Sequence, residues 1–156
     1  MRPNELVEEL RNARQQLLRE AEGLPVSLLR KQPSRNEWSI IEILAHLIDV
    51  DYYYLSQALT IRDDPGHMFV YFDDERWKAE HFRVLEEPID QILRRLRESH
   101  DAVQRAVSQL TEDELQTVGA HPTRGTYTVR DALLRFPTHD RNHAEQVRSV
   151  RQRLGA

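Results

Sequence analysis

The chain of 156 residues contains no cysteine. This absence excludes disulfide bonds, thiolate metal ligands, iron–sulfur clusters and a cysteine nucleophile, so any thiol used in chemistry here must come from a substrate. The chain also lacks an apolar run of the roughly 18–20 residues that a membrane-spanning helix needs. Its first residues lead into an acidic amphipathic helix instead of the apolar core of a signal peptide. We therefore expect a cytoplasmic protein without a membrane partner.

The sequence also lacks an excess of positive charge. The net charge of −4 argues against a general nucleic-acid binder. Several cations do gather near the end of the chain, but no aromatic residues are interleaved with them, and cations also suit the C terminus of a helix. We interpret them as a solvated helix end and expect no nucleic-acid partner; they are Arg141, Arg148, Arg151 and Arg153.

Composition and periodicity favour one all-α domain that spans residues 1–156. Charged residues make up 31% of the chain and hydrophobic residues 39%, a balance typical of a folded helical protein and not of a disordered one. Apolar residues recur at helical spacing in four long segments, at about 4–22, 39–61, 88–110 and from 128 onward. Residues 65–88 are irregular and predict a long crossover. Residues 119–125 have the composition of a polar loop.

The second and fourth predicted helices begin in the same way. Ser39 and Glu42 have the spacing of a capping box, in which each side chain bonds the backbone of the other residue, and Thr128 and Asp131 repeat this pattern. An aromatic residue directly precedes each cap. The match predicts a four-helix bundle built from two pseudo-repeated helical hairpins, with the long crossover between helices 2 and 3.

Histidines on these two matched helices are candidate metal ligands. His139 and His143 lie four residues apart, so they share one helix face with Cβ atoms roughly 6 Å apart. His46 falls on the equivalent stripe of the second helix. Alone, His46 is typical of a semi-buried core histidine, and a pair at this spacing arises readily by chance among seven histidines. Together, three imidazoles can hold one metal ion and leave a position open for water or substrate. Without an ion, their buried donors and acceptors would need other partners.

Polar neighbours extend the candidate site. Asp49 lies one turn beyond His46, where its carboxylate could orient that imidazole or act as a base. Tyr53 lies two turns beyond His46 and could direct its hydroxyl into the same cavity. We therefore predict catalytic roles for Asp49 and Tyr53, and a supporting role for Gln146, one turn after His143.

Other residues receive a plainer interpretation. Asp51 and Asp140 fall off the histidine stripe, where solvent or pairing on the helix surface explains them at least as well. Pro137 removes one helical hydrogen bond just before the histidine pair, so it predicts either a kink or an interruption of the fourth helix. The remaining histidines without a spaced partner are assigned no role; they are His67, His100 and His121.

Taken in order, these segments resemble the DinB/YfiT-like superfamily over nearly the whole chain. The segments that carry the resemblance are Trp38-Ser39, Glu42–Asp49, Gly125–Asp131 and His139–Val147, and Phe72–Trp77 is similar to the middle loop of that family. The resemblance implies a four-helix bundle, often dimeric, with a divalent metal, typically nickel or zinc. The three histidines that hold the metal in the family match His46, His139 and His143.

The resemblance also implies a class of reaction. Characterised relatives include thiol-dependent S-transferases and isomerases that use low-molecular-weight thiols, and others are described as metal-dependent hydrolases. Our leading hypothesis is a thiol-dependent S-transferase that acts on a small molecule in stress response or detoxification. The alternatives are a hydrolase that uses metal-bound hydroxide and a non-catalytic metal-binding bundle. A homodimer is expected in each case.

Overall fold

The computed structural model describes residues 1–155, apart from the side chain of Phe82. Helices account for most of this part of the chain. They are α1 (Pro3–Ala21), α2 (Val26–Leu29), α3 (Ile40–Asp63), α4 (Asp74–Glu80), α5 (Ile89–Ser108), α6 (Glu112–Leu115) and α7 (Val129–Arg153), with a 3₁₀ helix at Phe82–Glu86. Two strands, β1 (Val118–His121) and β2 (Gly125–Thr128), complete the fold. Among these helices, none is both long and apolar enough to cross a membrane.

The four long helices form a bundle. Helix α1 packs against α5 and α7, and α3 packs against the same two helices, so α1 lies opposite α3 and α5 lies opposite α7. The predicted bundle and the long crossover between α3 and α5 are confirmed. The two halves are not simple hairpins, because the long helices of each half, α1 with α3 and α5 with α7, lie diagonally across the bundle. The connectors between them, residues 22–39 and 109–128, are long enough to span its end.

Both predicted helix starts are capped as expected. At the start of α3, Ser39 Oγ accepts a hydrogen bond from the Glu42 amide at 3.2 Å, and Glu42 Oε1 accepts one from the Ser39 amide at 2.9 Å. At the start of α7 the corresponding distances between Thr128 and Asp131 are 3.1 and 2.9 Å. These caps fix where the two histidine-bearing helices begin, and so fix the register of the histidines.

Helix α7 continues through Pro137 without interruption. It runs from Val129 to Arg153 with Pro137 buried inside it. The interruption that the sequence left open therefore does not occur. His139 and His143 lie on one unbroken helix, between a core cluster that ends at Phe136 and a second that resumes at Ala144.

The predicted polar loop at residues 119–125 is instead part of a β-hairpin, so that expectation was wrong. Strands β1 and β2 pair antiparallel, and Met68 of the crossover adds a parallel bridge to Ala120. Gly119 permits this close packing, because a Cβ atom there would lie only 2.8 Å from the carbonyl oxygen of His67. Strands of four residues are too short for alternation to distinguish them from a loop. The hairpin fixes the start of the crossover against the bundle.

Candidate metal centre

Three imidazoles from α3 and α7 meet inside the bundle. His46 on α3 is fully buried, whereas His139 and His143 on α7 are partly exposed. One ring nitrogen from each histidine lies within 4.8 Å of the other two, and the Nε2 atoms of His139 and His143 are 3.2 Å apart. Nitrogen ligands about 2.0–2.1 Å from a tetrahedral ion are about 3.3 Å from one another. The structure thus brings the three predicted ligands together, with the α7 pair at ligand spacing.

The buried imidazole of His46 supports an ion at this place. Both of its ring nitrogens are buried and have no hydrogen-bond partner among the described residues. Asp74 Oδ1 lies 3.2 Å from His46 Nε2, but the two atoms form no hydrogen bond. A buried polar group left unmet costs about 1–3 kcal/mol. A metal ion would satisfy one of these nitrogens, and the donor set of three neutral imidazoles fits a divalent ion such as zinc or nickel.

Gln146 orients the ring of His143. Its Oε1 lies 2.7 Å from His143 Nδ1. Because a carbonyl oxygen can only accept, Nδ1 carries the proton and Nε2 presents its lone pair to the cluster. Histidine ligands commonly donate their second ring N–H to an oxygen in this way. Gln146 thus has the supporting contact that its spacing predicted.

Burial favours the neutral form of all three imidazoles. It lowers the pKa of His46 to about 3 and that of His139 to about 2, and the charge of His143 adds to both shifts. Burial likewise lowers the pKa of His143 below its usual value. A histidine must be unprotonated to bind a metal. The form that can bind an ion is therefore the one present at neutral pH.

Aromatic rings enclose His46. Trp38, Phe72 and Trp77 all meet its ring at steep angles, with centroids 5.0, 5.3 and 5.3 Å away. The two indoles also stack on each other with centroids 5.6 Å apart. These rings keep water away from the α3 side of the cluster. Since His139 and His143 are partly exposed, the open side of the cluster is that of α7.

Asp74 is a site residue that sequence reasoning missed. It is the first residue of α4, and its half-exposed carboxylate is the one nearest to His46. Burial and the charge of Asp73 raise the pKa of Asp74, whereas the charge of Arg135 lowers it. Only the similarity of Phe72–Trp77 to the middle loop of a known family pointed to this segment. The helix folds back onto α3, and no spacing along the chain reveals that.

The two predicted catalytic residues lie beside the cluster and not in contact with it. Asp49 Oδ2 accepts a 2.6 Å hydrogen bond from the indole Nε1 of Trp77, and the hydroxyl of Tyr53 donates to the carbonyl of Val70 at 3.0 Å. Within the described residues, no hydrogen bond or ion pair joins either to the three histidines. Both line a cavity of about 450 Å³, which Phe72 and Trp77 separate from His46.

The two aspartates assigned to the surface are in fact buried, so that interpretation was wrong. The Arg14 guanidinium donates to Asp140 at 2.8 Å and to Asp51 at 2.7 Å, and all three side chains are at most 3% exposed. Ser99 Oγ adds a 2.6 Å hydrogen bond to Asp51. The network joins α1, α3, α5 and α7, and Asp140 directly follows His139 on α7. Arg14 sits among helical polar residues in the sequence, and no pattern there singled it out.

Two proteins of Bacillus subtilis are similar to this chain, one in sequence and one in fold. The chain is 25% identical over 155 residues to the uncharacterized protein YuaE of Bacillus subtilis (strain 168). The alignment covers 91% of this chain and 94% of YuaE. Its fold is similar to that of YfiT from Bacillus subtilis, described as a probable metal-dependent hydrolase with an unusual four-helix bundle topology. That similarity has a TM-score of 0.80 at 18% identity and covers 98% of this chain and 87% of YfiT.

The family itself follows from the sequence match. The model of the DinB superfamily matches residues 9–147, a range that contains α3, most of α7 and all three histidines of the cluster. The resemblance first seen in separate segments is thus confirmed along the chain. This protein belongs to the DinB superfamily.

Proposed function

We propose that this protein is a metal-dependent enzyme whose divalent ion is held by His46, His139 and His143. The observation that carries the proposal is the convergence of three buried or half-buried imidazoles, with nitrogens within 4.8 Å of one another and both nitrogens of His46 unpaired. Three neutral ligands leave the charge of the ion uncompensated and leave room for substrate. Nickel and zinc both suit imidazole ligands.

A bound ion would supply Lewis acidity and lower the pKa of a water or thiol placed against it. The protein's own residues then have distinct tasks. Asp74 stands next to His46 and can accept a proton from an incoming nucleophile. Trp77 and Phe72 exclude water on the α3 side. Asp49 holds the indole of Trp77, and Tyr53 shapes the adjoining cavity.

Transfer of a low-molecular-weight thiol to an electrophilic small molecule is the reaction we propose first. The chain has no cysteine, so the thiol would arrive as a co-substrate. The resemblance to thiol-dependent relatives supports this class, and the partial exposure of His139 and His143 leaves the α7 side of the cluster accessible to a small molecule. A role in stress response or detoxification would follow from such chemistry.

Hydrolysis is the second candidate. The carboxylate of Asp74 beside the cluster favours it, because an adjacent carboxylate is a suitable general base for water. The description of YfiT as a probable metal-dependent hydrolase points in the same direction. A non-catalytic metal-binding bundle is the remaining alternative, and absence of turnover with every substrate class in the metallated protein would favour it.

The experiment that separates these candidates is a substrate screen on the purified, metal-loaded protein. Electrophiles and ester or amide substrates are each assayed with and without a small thiol. A transferase consumes electrophile only when thiol is present, whereas a hydrolase is indifferent to it. Asp74→Asn should slow either reaction, and Glu75→Gln, an exposed neighbour on the same helix, serves as the matched control.

We also propose a homodimer, which the family resemblance supports. Light scattering on the purified protein would then give twice the 18.4 kDa of one chain. A mass of one chain at micromolar concentration would rule the dimer out under those conditions.

A further inference from the structure

Arg135 lies beside the histidine cluster. It precedes His139 by four residues on α7, so the two side chains leave the same helix face. Its guanidinium carbon is 4.8 Å from the ring centroid of Tyr71 and 5.2 Å from that of Tyr54. The ring of Tyr54 in turn lies 6.1 Å from that of His139. Two aromatic rings thus hold this cation next to a candidate ligand.

The hydrogen-bonding capacity of Arg135 is largely unused. Its Nε is buried and finds no acceptor among the described residues, and its one hydrogen bond runs from Nη2 to the Tyr54 hydroxyl at 3.4 Å. The charge of Arg135 lowers the pKa of Asp74, yet the two side chains form no ion pair in the described structure. Arg14 differs, because its guanidinium donates to two carboxylates, those of Asp51 and Asp140.

The hydroxyl of Tyr71, whose ring packs against the guanidinium, is a second donor. His121 Nδ1 accepts hydrogen bonds from the amides of Thr123 and Arg124, both at 3.1 Å, so the proton of the neutral ring is on Nε2. That Nε2–H therefore donates to the hydroxyl of Tyr71 at 2.8 Å. The proton of Tyr71 is then free to bond another acceptor. Arg135 and Tyr71 thus present adjoining donors that have no acceptor among the described residues.

We propose that Arg135 binds the carboxylate of an anionic substrate and positions that substrate against the three-histidine centre. The inference rests on the proposed function and adds the chemical class of the substrate. The planar fork of a guanidinium matches a carboxylate through two parallel hydrogen bonds. A carboxylate suits the place better than a phosphate dianion, because the single charge of Arg135 matches a monoanion and the carboxylate of Asp74 adds negative charge nearby.

Benzoate and benzamide are suitable probes, because they share a shape and differ in charge. Their binding is measured by calorimetry on zinc-loaded and on metal-free protein. The variants are Arg135→Met, Arg135→Lys and the control Arg130→Met, whose side chain lies on the same helix and bonds only the carbonyl of Met1 among the described residues. Arg135→Lys keeps the charge between the tyrosine rings, so it remains informative if Arg135→Met does not fold. Circular dichroism and zinc content are recorded for each.

Wild-type and Arg130→Met protein should bind benzoate at least about tenfold more tightly than benzamide. Arg135→Met should lose this preference while keeping its zinc, and Arg135→Lys should retain part of it. An unchanged preference in Arg135→Met, or no preference in the wild type in either metal state, would overturn the inference. Stoichiometric zinc with no Arg135-dependent preference leaves the proposed function intact, whereas a wild type that binds no metal refutes the proposed function itself.

Discussion

The indole Nε1 of Trp77 donates a 2.6 Å hydrogen bond to the carboxylate of Asp49. The same indole packs against the buried ring of His46 with centroids 5.3 Å apart. Asp49 therefore reaches the cluster through Trp77, which makes it a positioning residue for the wall around His46. A base acting directly on a nucleophile would need a closer approach than the structure shows.

This relationship predicts different outcomes for two substitutions of Asp49. Asp49→Asn keeps an oxygen that accepts from the indole, so metal content and turnover should stay within a few-fold of the wild type. Asp49→Leu removes the acceptor, and we expect weaker metal binding or slower turnover, in the range of about 10–100-fold that such supporting contacts contribute. Steady-state kinetics and metal titration check this. Equal, large losses in both variants would instead indicate that the carboxylate acts as a base.

The matched caps predict losses of stability. Ser39→Ala and Thr128→Ala should each lower the free energy of unfolding by about 0.5–2 kcal/mol, because each removes the acceptor of a first-turn amide. Ser108→Ala is the control: that hydroxyl is exposed at the end of α5 and donates to the carbonyl of Arg105 without capping a helix start. Urea denaturation measures all three. If Ser108→Ala lost as much stability as Ser39→Ala and Thr128→Ala, the stability assigned to the two caps would be wrong.

The buried Arg14 network predicts a much larger effect. Arg14→Met would leave the carboxylates of Asp51 and Asp140 buried without their cation, and breaking a buried ion pair in this way costs about 3–5 kcal/mol. Arg148→Met serves as the control, because its pairs with Glu20 and Glu145 are at the surface, where such pairs contribute about 0–1 kcal/mol. Thermal or urea unfolding compares the two. Similar small losses would show that water reaches the network.

His100 predicts a pH dependence of stability. Burial, followed by the charge of Arg14, lowers its pKa to about 4. In the unfolded chain an unperturbed histidine has a pKa of about 6.5, so between about pH 6.5 and 4 the unfolded state binds more protons and stability falls as the pH falls. The slope from this one group is at most about 1.4 kcal/mol per pH unit. His100→Leu should flatten the curve in that window, and an unaltered slope would contradict the assignment.

Local sequence patterns predicted the parts of this structure that local physics controls. The capping boxes at Ser39 and Thr128 and the shared face of His139 and His143 follow from hydrogen-bond geometry within one or two helical turns. Helical periodicity gave the four long helices. The convergence of His46 with the α7 pair also followed, because both helices carry their histidines at matched positions from matched caps.

Those local patterns could not predict contacts that depend on tertiary packing. Asp74 meets His46 only because α4 folds back on α3, and Arg14 meets Asp51 and Asp140 only because three helices converge. The β-hairpin was missed because each of its strands has four residues. For Asp74 and Arg14 the deciding interaction joins residues far apart in the chain, and the composition near either partner looks ordinary.

Metal content of single-histidine variants tests the central claim most directly. Each protein is purified, loaded with zinc or nickel, desalted and analysed for bound metal per chain. We expect about one ion per chain in the wild type and in His67→Ala, His100→Ala and His121→Ala, and a loss of stoichiometric metal in His46→Ala, His139→Ala and His143→Ala. Full metal retention in His139→Ala would contradict the three-histidine centre.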